Sequence, residues 1–120
     1  MEGEKCRREE VEMAVRYISE HFLENICWET AAEEIPLSND RVRKIFKEET
    51  GTTMHRYIKD MRMESAARML RDTDLSVAEI GEATCHKTAA YFTHCFRRKY
   101  GQTPLRYRRS MRQNRDRRKI

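Results

Sequence analysis

Apolar side chains along this 120-residue chain recur at helical spacing, and nowhere do they alternate as a strand would. Val11, Ala14, Val15, Ile18 and Phe22 form one stripe of a long helix with charges elsewhere. Trp28, Ala31, Ala32 and Ile35 share a face on a short second segment, whose alanines permit close approach by another helix. Pro36-Leu37-Ser38 breaks that pattern. Ser38 is placed to cap a helix from Asn39 to about Thr50, stopped by Gly51, with Val42, Ile45 and Phe46 inward. Tyr57, Ile58, Met61, Ala66, Met69 and Leu70 predict one long helix from about Met54 to Arg71. Asp72-Thr73-Asp74 is a turn, and Ser76 with Glu79 has the form of a capping box opening a short helix to about Thr84. Thr88 caps the next helix, which runs to Tyr100 with Phe92, Cys95 and Phe96 inward and Gly101 as its stop. Thr103-Pro104 reads as an N-cap followed by proline at the first helical position, and from about Ser110 the arginine-rich remainder is expected to fray. The expected class is all-α.

The pattern also repeats. Phe46-Lys47-Glu48-Glu49-Thr50-Gly51-Thr52-Thr53-Met54-His55-Arg56-Tyr57 lines up with Phe96-Arg97-Arg98-Lys99-Tyr100-Gly101-Gln102-Thr103-Pro104-Leu105-Arg106-Tyr107. Val42 answers Phe92, Ile45 answers Cys95 and Ser38 answers Thr88, so one supersecondary unit is used twice. Each copy, over 28–50 and 77–100, is a short helix, a tight turn and a basic helix. That is the helix-turn-helix arrangement, whose second helix enters the DNA major groove. Ala32 and Gly81 supply the small residues where the two helices cross. The expected organisation is two helix-turn-helix subdomains (1–52 and 73–109), a linker helix (53–72) and a basic tail (110–120). A rigid linker would set the two reading helices roughly one DNA turn, about 34 Å, apart, so that a monomer spans two adjacent major-groove segments.

Composition narrows the classes. Hydrophobic and charged residues each make up 38% of the chain, which suits thinly packed amphipathic helices better than a thick core. No stretch approaches the roughly 18 apolar residues of a membrane span, and the start lacks a signal-peptide block, so a cytoplasmic protein without a membrane partner is expected. The net charge of +5 hides an asymmetry, because residues 97–120 hold eleven Lys+Arg and one acid while 1–96 hold fourteen and nineteen. A basic C-terminal stretch beside an acidic remainder suits a molecule oriented on a polyanion. Cys6, Cys27, Cys85 and Cys95 show no C-x-x-C spacing and are expected to be reduced and structural. Cys85-His86 and His94-Cys95 lack zinc-ligand spacing, since adjacent helical positions diverge by about 100°. Trp28, Phe46, Phe92 and Phe96 are expected core anchors, Asp60 and Glu64 partners of Arg56 and Arg68, and Arg112 to Lys119 a solvated tail. Paired carboxylates, a nucleophile with its base, and a phosphate loop are all missing from the pattern, so neither an enzyme nor a cofactor is expected.

Asp74-Leu75-Ser76-Val77-Ala78-Glu79-Ile80, Tyr91-Phe92, and Phe96 through Gly101-Gln102-Thr103-Pro104-Leu105-Arg106-Tyr107-Arg108 together carry a resemblance, as does Arg62-Met63-Glu64-Ser65-Ala66 through Met69-Leu70. From about Val11 to Arg108 the chain resembles the DNA-binding domain of the AraC/XylS family of bacterial transcription regulators. Its length is similar to that of the short stand-alone members, which lack the usual effector-binding domain. Met1 and the polar first ten residues fit a natural start, and a fragment of a longer regulator is the other reading. The resemblance implies double-stranded DNA as partner and activation beside RNA polymerase.

Carried over by position, the first reading helix presents Asn39, Asp40, Arg43 and Lys44, and the second Ala89, Ala90, Thr93 and His94. Arg43 and Lys44 suit guanine O6/N7, Asp40 suits cytosine N4, and Ala89 and Ala90 offer apolar contact to a thymine methyl. Ser38, Arg41 and Lys47 in the first copy, with Lys87, Thr88, Arg97 and Arg98 in the second, are the expected phosphate contacts, joined by Lys99 and the tail. The first copy is thus expected mainly to read and the second mainly to grip. Four residues depart from the family pattern. Pro36 and Cys85 occupy the turn position where a residue tolerant of positive φ is usual, and proline must force a different first turn. His86 replaces a sealing aromatic, and Met54 replaces the proline that matches Pro104. These departures leave room for an alternative: a protein-interaction module on the same fold with weak, non-specific DNA binding.

Overall fold

The computed structural model describes residues 2–33 and 35–119, with side chains described for 8–33 and 35–114. The described residues form α1 (Glu2–His21), α2 (Trp28–Glu33), α3 (Asn39–Thr50), α4 (Met54–Asp72), α5 (Val77–Ala83), α6 (Ala89–Tyr100) and α7 (Pro104–Lys119), with no strand among them. Two compact units divide the chain, Met1–Met61 and Arg62–Ile120, so that α4 gives its first turns to one and its last to the other.

Each unit buries the stripes its helices carry. In the first, Val11, Ala14 and Ile18 of α1 meet Ala31 and Ala32 of α2, Ile35 of the turn after it, Val42, Ile45 and Phe46 of α3, and Met54 and Ile58 of α4. In the second, Met63, Ala66, Ala67 and Leu70 of α4 meet Ile80 of α5 and Phe92 and Phe96 of α6. Gly81 is buried where α5 crosses α6, and a Cβ there would stand 3.2 Å from the Phe92 side chain. A side chain there would need Phe92 to give by a few tenths of an ångström, so the expected small residue suits this crossing. Met54 and Pro104 open α4 and α7 from equivalent buried places, so methionine fills the space that proline takes in the other copy.

The predicted caps form. Ser38 Oγ accepts from Arg41 N at 3.3 Å, Thr88 Oγ1 from Tyr91 N at 3.0 Å, and Ser76 with Glu79 completes its box. Gly51 and Gly101 close α3 and α6 at φ 80° and 74°, each donating back to a carbonyl at 2.8 Å.

The two turns differ as the residues at Pro36 and Cys85 require. Leu37 N–H donates to the Ile35 carbonyl at 2.8 Å, a three-residue turn centred on Pro36 whose fixed negative φ suits it. In the second copy Cys85 takes φ 65°, the one positive value among the described non-glycine residues. A side chain there costs about 1–2 kcal/mol that glycine avoids. Cys85→Gly is accordingly expected to raise stability by about 1 kcal/mol, read as a higher urea midpoint with an unchanged slope. His86 does seal its motif: its ring lies 5.0 Å from that of Phe92 and 6.1 Å from that of Tyr91. The buried Thr84 hydroxyl donates to the Ile80 carbonyl at 2.8 Å and stands 3.0 Å from His86 Nδ1. With its one proton committed to Ile80, that hydroxyl accepts from Nδ1–H.

Four expectations are corrected. The arginine-rich end does not fray at Ser110, because α7 continues to Lys119. Arg112 is not a solvated tail residue: it donates to the Thr73 carbonyl at 2.9 Å and to Asp74 Oδ1 at 2.7 Å. Arg108 donates to the carbonyls of Leu70, Thr73 and Leu75 at 2.9, 3.2 and 2.5 Å. The Leu70 carbonyl in the last turn of α4 takes its donor from Arg108, and the two guanidinium groups of α7 together satisfy the turn that follows. Glu64 meets Lys99 of α6 at 4.0 Å, a pairing across helices within the second unit. Cys27 is exposed, so it is not a packing cysteine, while the Cys6 side chain lies outside the described residues.

Candidate nucleic-acid interface

On α3, Val42, Ile45 and Phe46 point inward, and at about 100° per residue Asp40, Lys44 and Lys47 fall on the opposite side. Arg43 and Arg41 flank them, and all five are exposed. Ser38 and Asn39 are exposed at the start of α3, with the Ser38 hydroxyl engaged as the cap. On α6, Phe92 and Phe96 point inward, which sets Ala90, His94, Arg97 and Arg98 outward. Lys87, Thr88 and Ala89 are exposed before and at its first turn, whereas Thr93 is half-buried on the flank. The structure thus brings the residues chosen from sequence onto the outer faces, flanks and exposed N-terminal ends of α3 and α6, with Thr93 half-buried.

Two further residues share those faces. Tyr91 is 49% exposed at the start of α6, one turn before His94 and Cys95. Its phenol is pushed above its ordinary range by a hydrogen bond with the Cys95 thiol, then by charge on that group and desolvation, so it stays a neutral hydroxyl. Its position one residue before the buried Phe92 signals a place on the rim of the outward face. Glu48 stands one turn after Lys44, where α6 has Arg98. With Asp40 and Glu49 it offsets most of the cationic charge of α3, while α6 carries Arg97, Arg98 and Lys99 with no acid.

Trp28 is not the fully buried anchor its spacing suggests. It opens α2 half-buried against the first core, and the Arg43 guanidinium lies over its ring, 4.8 Å from the centroid. A cleft of about 400 Å³ runs beside this pair, lined by Trp28, Asp40, Arg43, Lys44, Lys47 and His55 among others. Glu29 nearby is held below the usual carboxylate range, first by a hydrogen bond from Cys27, then by its backbone amide, with Arg43 and His55 adding their charge.

Two copies of a short helix, a tight turn and an outward-facing basic helix define a helix-turn-helix DNA-binding domain. Residues 31–110 match the family model described as a helix-turn-helix domain. The chain is 34% identical over 116 residues to the HTH-type transcriptional activator RhaS of Salmonella schwarzengrund, covering 97% of this chain and 40% of that protein. It therefore spans about two fifths of the length of such curated relatives. Among solved structures it is similar to the C-terminal domain of AraT, a response regulator from Geobacillus stearothermophilus, at 33% identity and TM-score 0.78, covering 83% and 84% of the two chains. The DNA-binding domain of AdpA, a global transcriptional factor solved in complex with a target DNA, matches at 26% identity and TM-score 0.82, covering 89% and 96%. The chain belongs to the AraC/XylS family of transcription regulators, as a DNA-binding domain rather than an enzyme. Among the described residues no helix is long and apolar enough to cross a membrane.

Proposed function

We propose that this domain binds one asymmetric double-stranded DNA site with sequence preference, α3 and α6 entering neighbouring major-groove segments as a monomer. The observation that carries this reading is the pair of outward faces, each opposite a buried apolar stripe and each bearing cations. Arg43 and Lys44 serve as donors to guanine, Asp40 as an acceptor for cytosine, and Asn39, Ala89, Ala90, Thr93 and His94 as lesser readers. Ser38, Arg41, Lys47, Lys87, Thr88, Arg97 and Arg98 hold phosphates. The protein acts in the cytoplasm as an activator beside RNA polymerase, and relatives named as activators support the activating role.

Selection from a random duplex library at physiological salt tests this. Recovery of one asymmetric site of about twenty base pairs, occupied by one chain, is the expected result. Recovery of salt-sensitive non-specific binding alone would overturn it. Arg43→Ala should relax preference at one base pair and cost about 1–3 kcal/mol on the preferred site. An unchanged binding logo in that variant would remove Arg43 from the readers.

A further inference from the structure

We infer that Trp28 is a positioning residue for sequence reading: its indole face holds the Arg43 guanidinium in place and so fixes the direction from which that arginine meets a base. This inference rests on the DNA-reading role given to α3 above. Trp28 is the first residue of α2 and Arg43 lies one turn into α3, so the contact bridges the two helices of the first motif. The ring is itself held, half-buried against the first core. Stacking engages the π face of a guanidinium, while its N–H donors lie in the plane and stay free at the edge. Arg43 lines the same cleft as Trp28, Asp40 and Lys44. An arginine ordered in this way has given up its rotamer freedom before DNA arrives, and its fork is held at one inclination.

The other copy supports treating the two residues as a pair. Val77 opens α5 three residues before the buried Ile80, as Trp28 opens α2 three residues before the buried Ala31. Thr93 stands on α6 where Arg43 stands on α3. Val77 has no π face and Thr93 has no charge, so shelf and cation are both present in the first motif and both missing from the second.

Because Trp28 is the chain's one tryptophan, its fluorescence reports the shelf directly. Arg43→Ala in the free domain should raise acrylamide quenching of Trp28 as the covering group is lost. Library selection is then run on Arg43→Ala, Trp28→Leu, Trp28→Phe and the Trp28→Leu/Arg43→Ala double variant, with thermal unfolding of each. Trp28→Leu should relax the same base pair that Arg43→Ala relaxes, by roughly two- to five-fold, the size of an exposed cation–π contact. Trp28→Phe should keep most of the preference, and the double variant should match Arg43→Ala alone. If Trp28→Leu does not fold, Trp28→Met replaces it, filling volume without a π face. Equal weakening on every duplex, or additive losses in the double variant, would overturn the positioning role while Arg43 stayed a reader. An unchanged logo for Arg43→Ala would instead remove the DNA-reading role on which this inference rests.

Discussion

Phe96→Ala is expected to cost about 3–5 kcal/mol and to unfold the second unit at denaturant concentrations the parent withstands. Phe96 is fully buried, and its ring meets Phe92 at 5.9 Å, Tyr100 at 4.6 Å and Tyr107 edge-on at 5.2 Å. Truncation removes the transfer energy of the ring and leaves a cavity walled by three aromatics that cannot all collapse inward. A unit running from Arg62 to Ile120 is small, and domains of that size hold only a few kcal/mol in reserve. The loss also reaches α7, because Tyr107 packs on Phe96 and lies one residue before Arg108, which ties down the end of α4. Far-UV circular dichroism should therefore lose helix early in a urea titration. Trp28 belongs to the first unit, so its fluorescence transition should stay near the parental midpoint. Coincident transitions by the two probes would show that α4 joins the units into one cooperative block.

Local patterning made much of this fold readable, and the reasons are specific. Val42, Ile45 and Phe46 could lie on one face of α3 only as a buried stripe, and Ser38 and Gly51 set its ends. The outward faces were legible by the same logic, since Asp40, Lys44, His94 and Arg98 occupy what the stripes leave over. Burial depth was less accessible. Spacing placed Trp28 on an apolar face but not at its margin, where a half-buried ring carries Arg43. That contact joins α2 to α3, beyond the reach of periodicity within one helix. The course of α7 was hidden for a similar reason. Its arginines look like a solvated run until Arg108 and Arg112 find carbonyls 33 to 39 residues earlier. Pro36 and Cys85 were legible as departures from the usual turn residue. How each solved its turn depended on backbone hydrogen bonds that no residue type announces.

The double substitution Arg97→Ala/Arg98→Ala should weaken every duplex by about thirty-fold at roughly 0.15 M salt and leave the order of preferred sequences intact. Both side chains are exposed on α6, and neither belongs to the second core. Their removal forfeits a favourable cation at the helix C-terminus, no more than about 1 kcal/mol of stability for each. If each neutralises one phosphate, the slope of log affinity against log salt falls by about 1.8, which at that salt corresponds to the stated loss. The effect should shrink as salt rises, because released counterions then gain less entropy. The contrast with Arg43→Ala separates the two units by function: one variant alters the logo with little change in slope, the other alters the slope with no change in logo. A base-dependent loss on removing Arg97 and Arg98 would mean that α6 reads sequence through them, and the division into a reading half and a gripping half would fail.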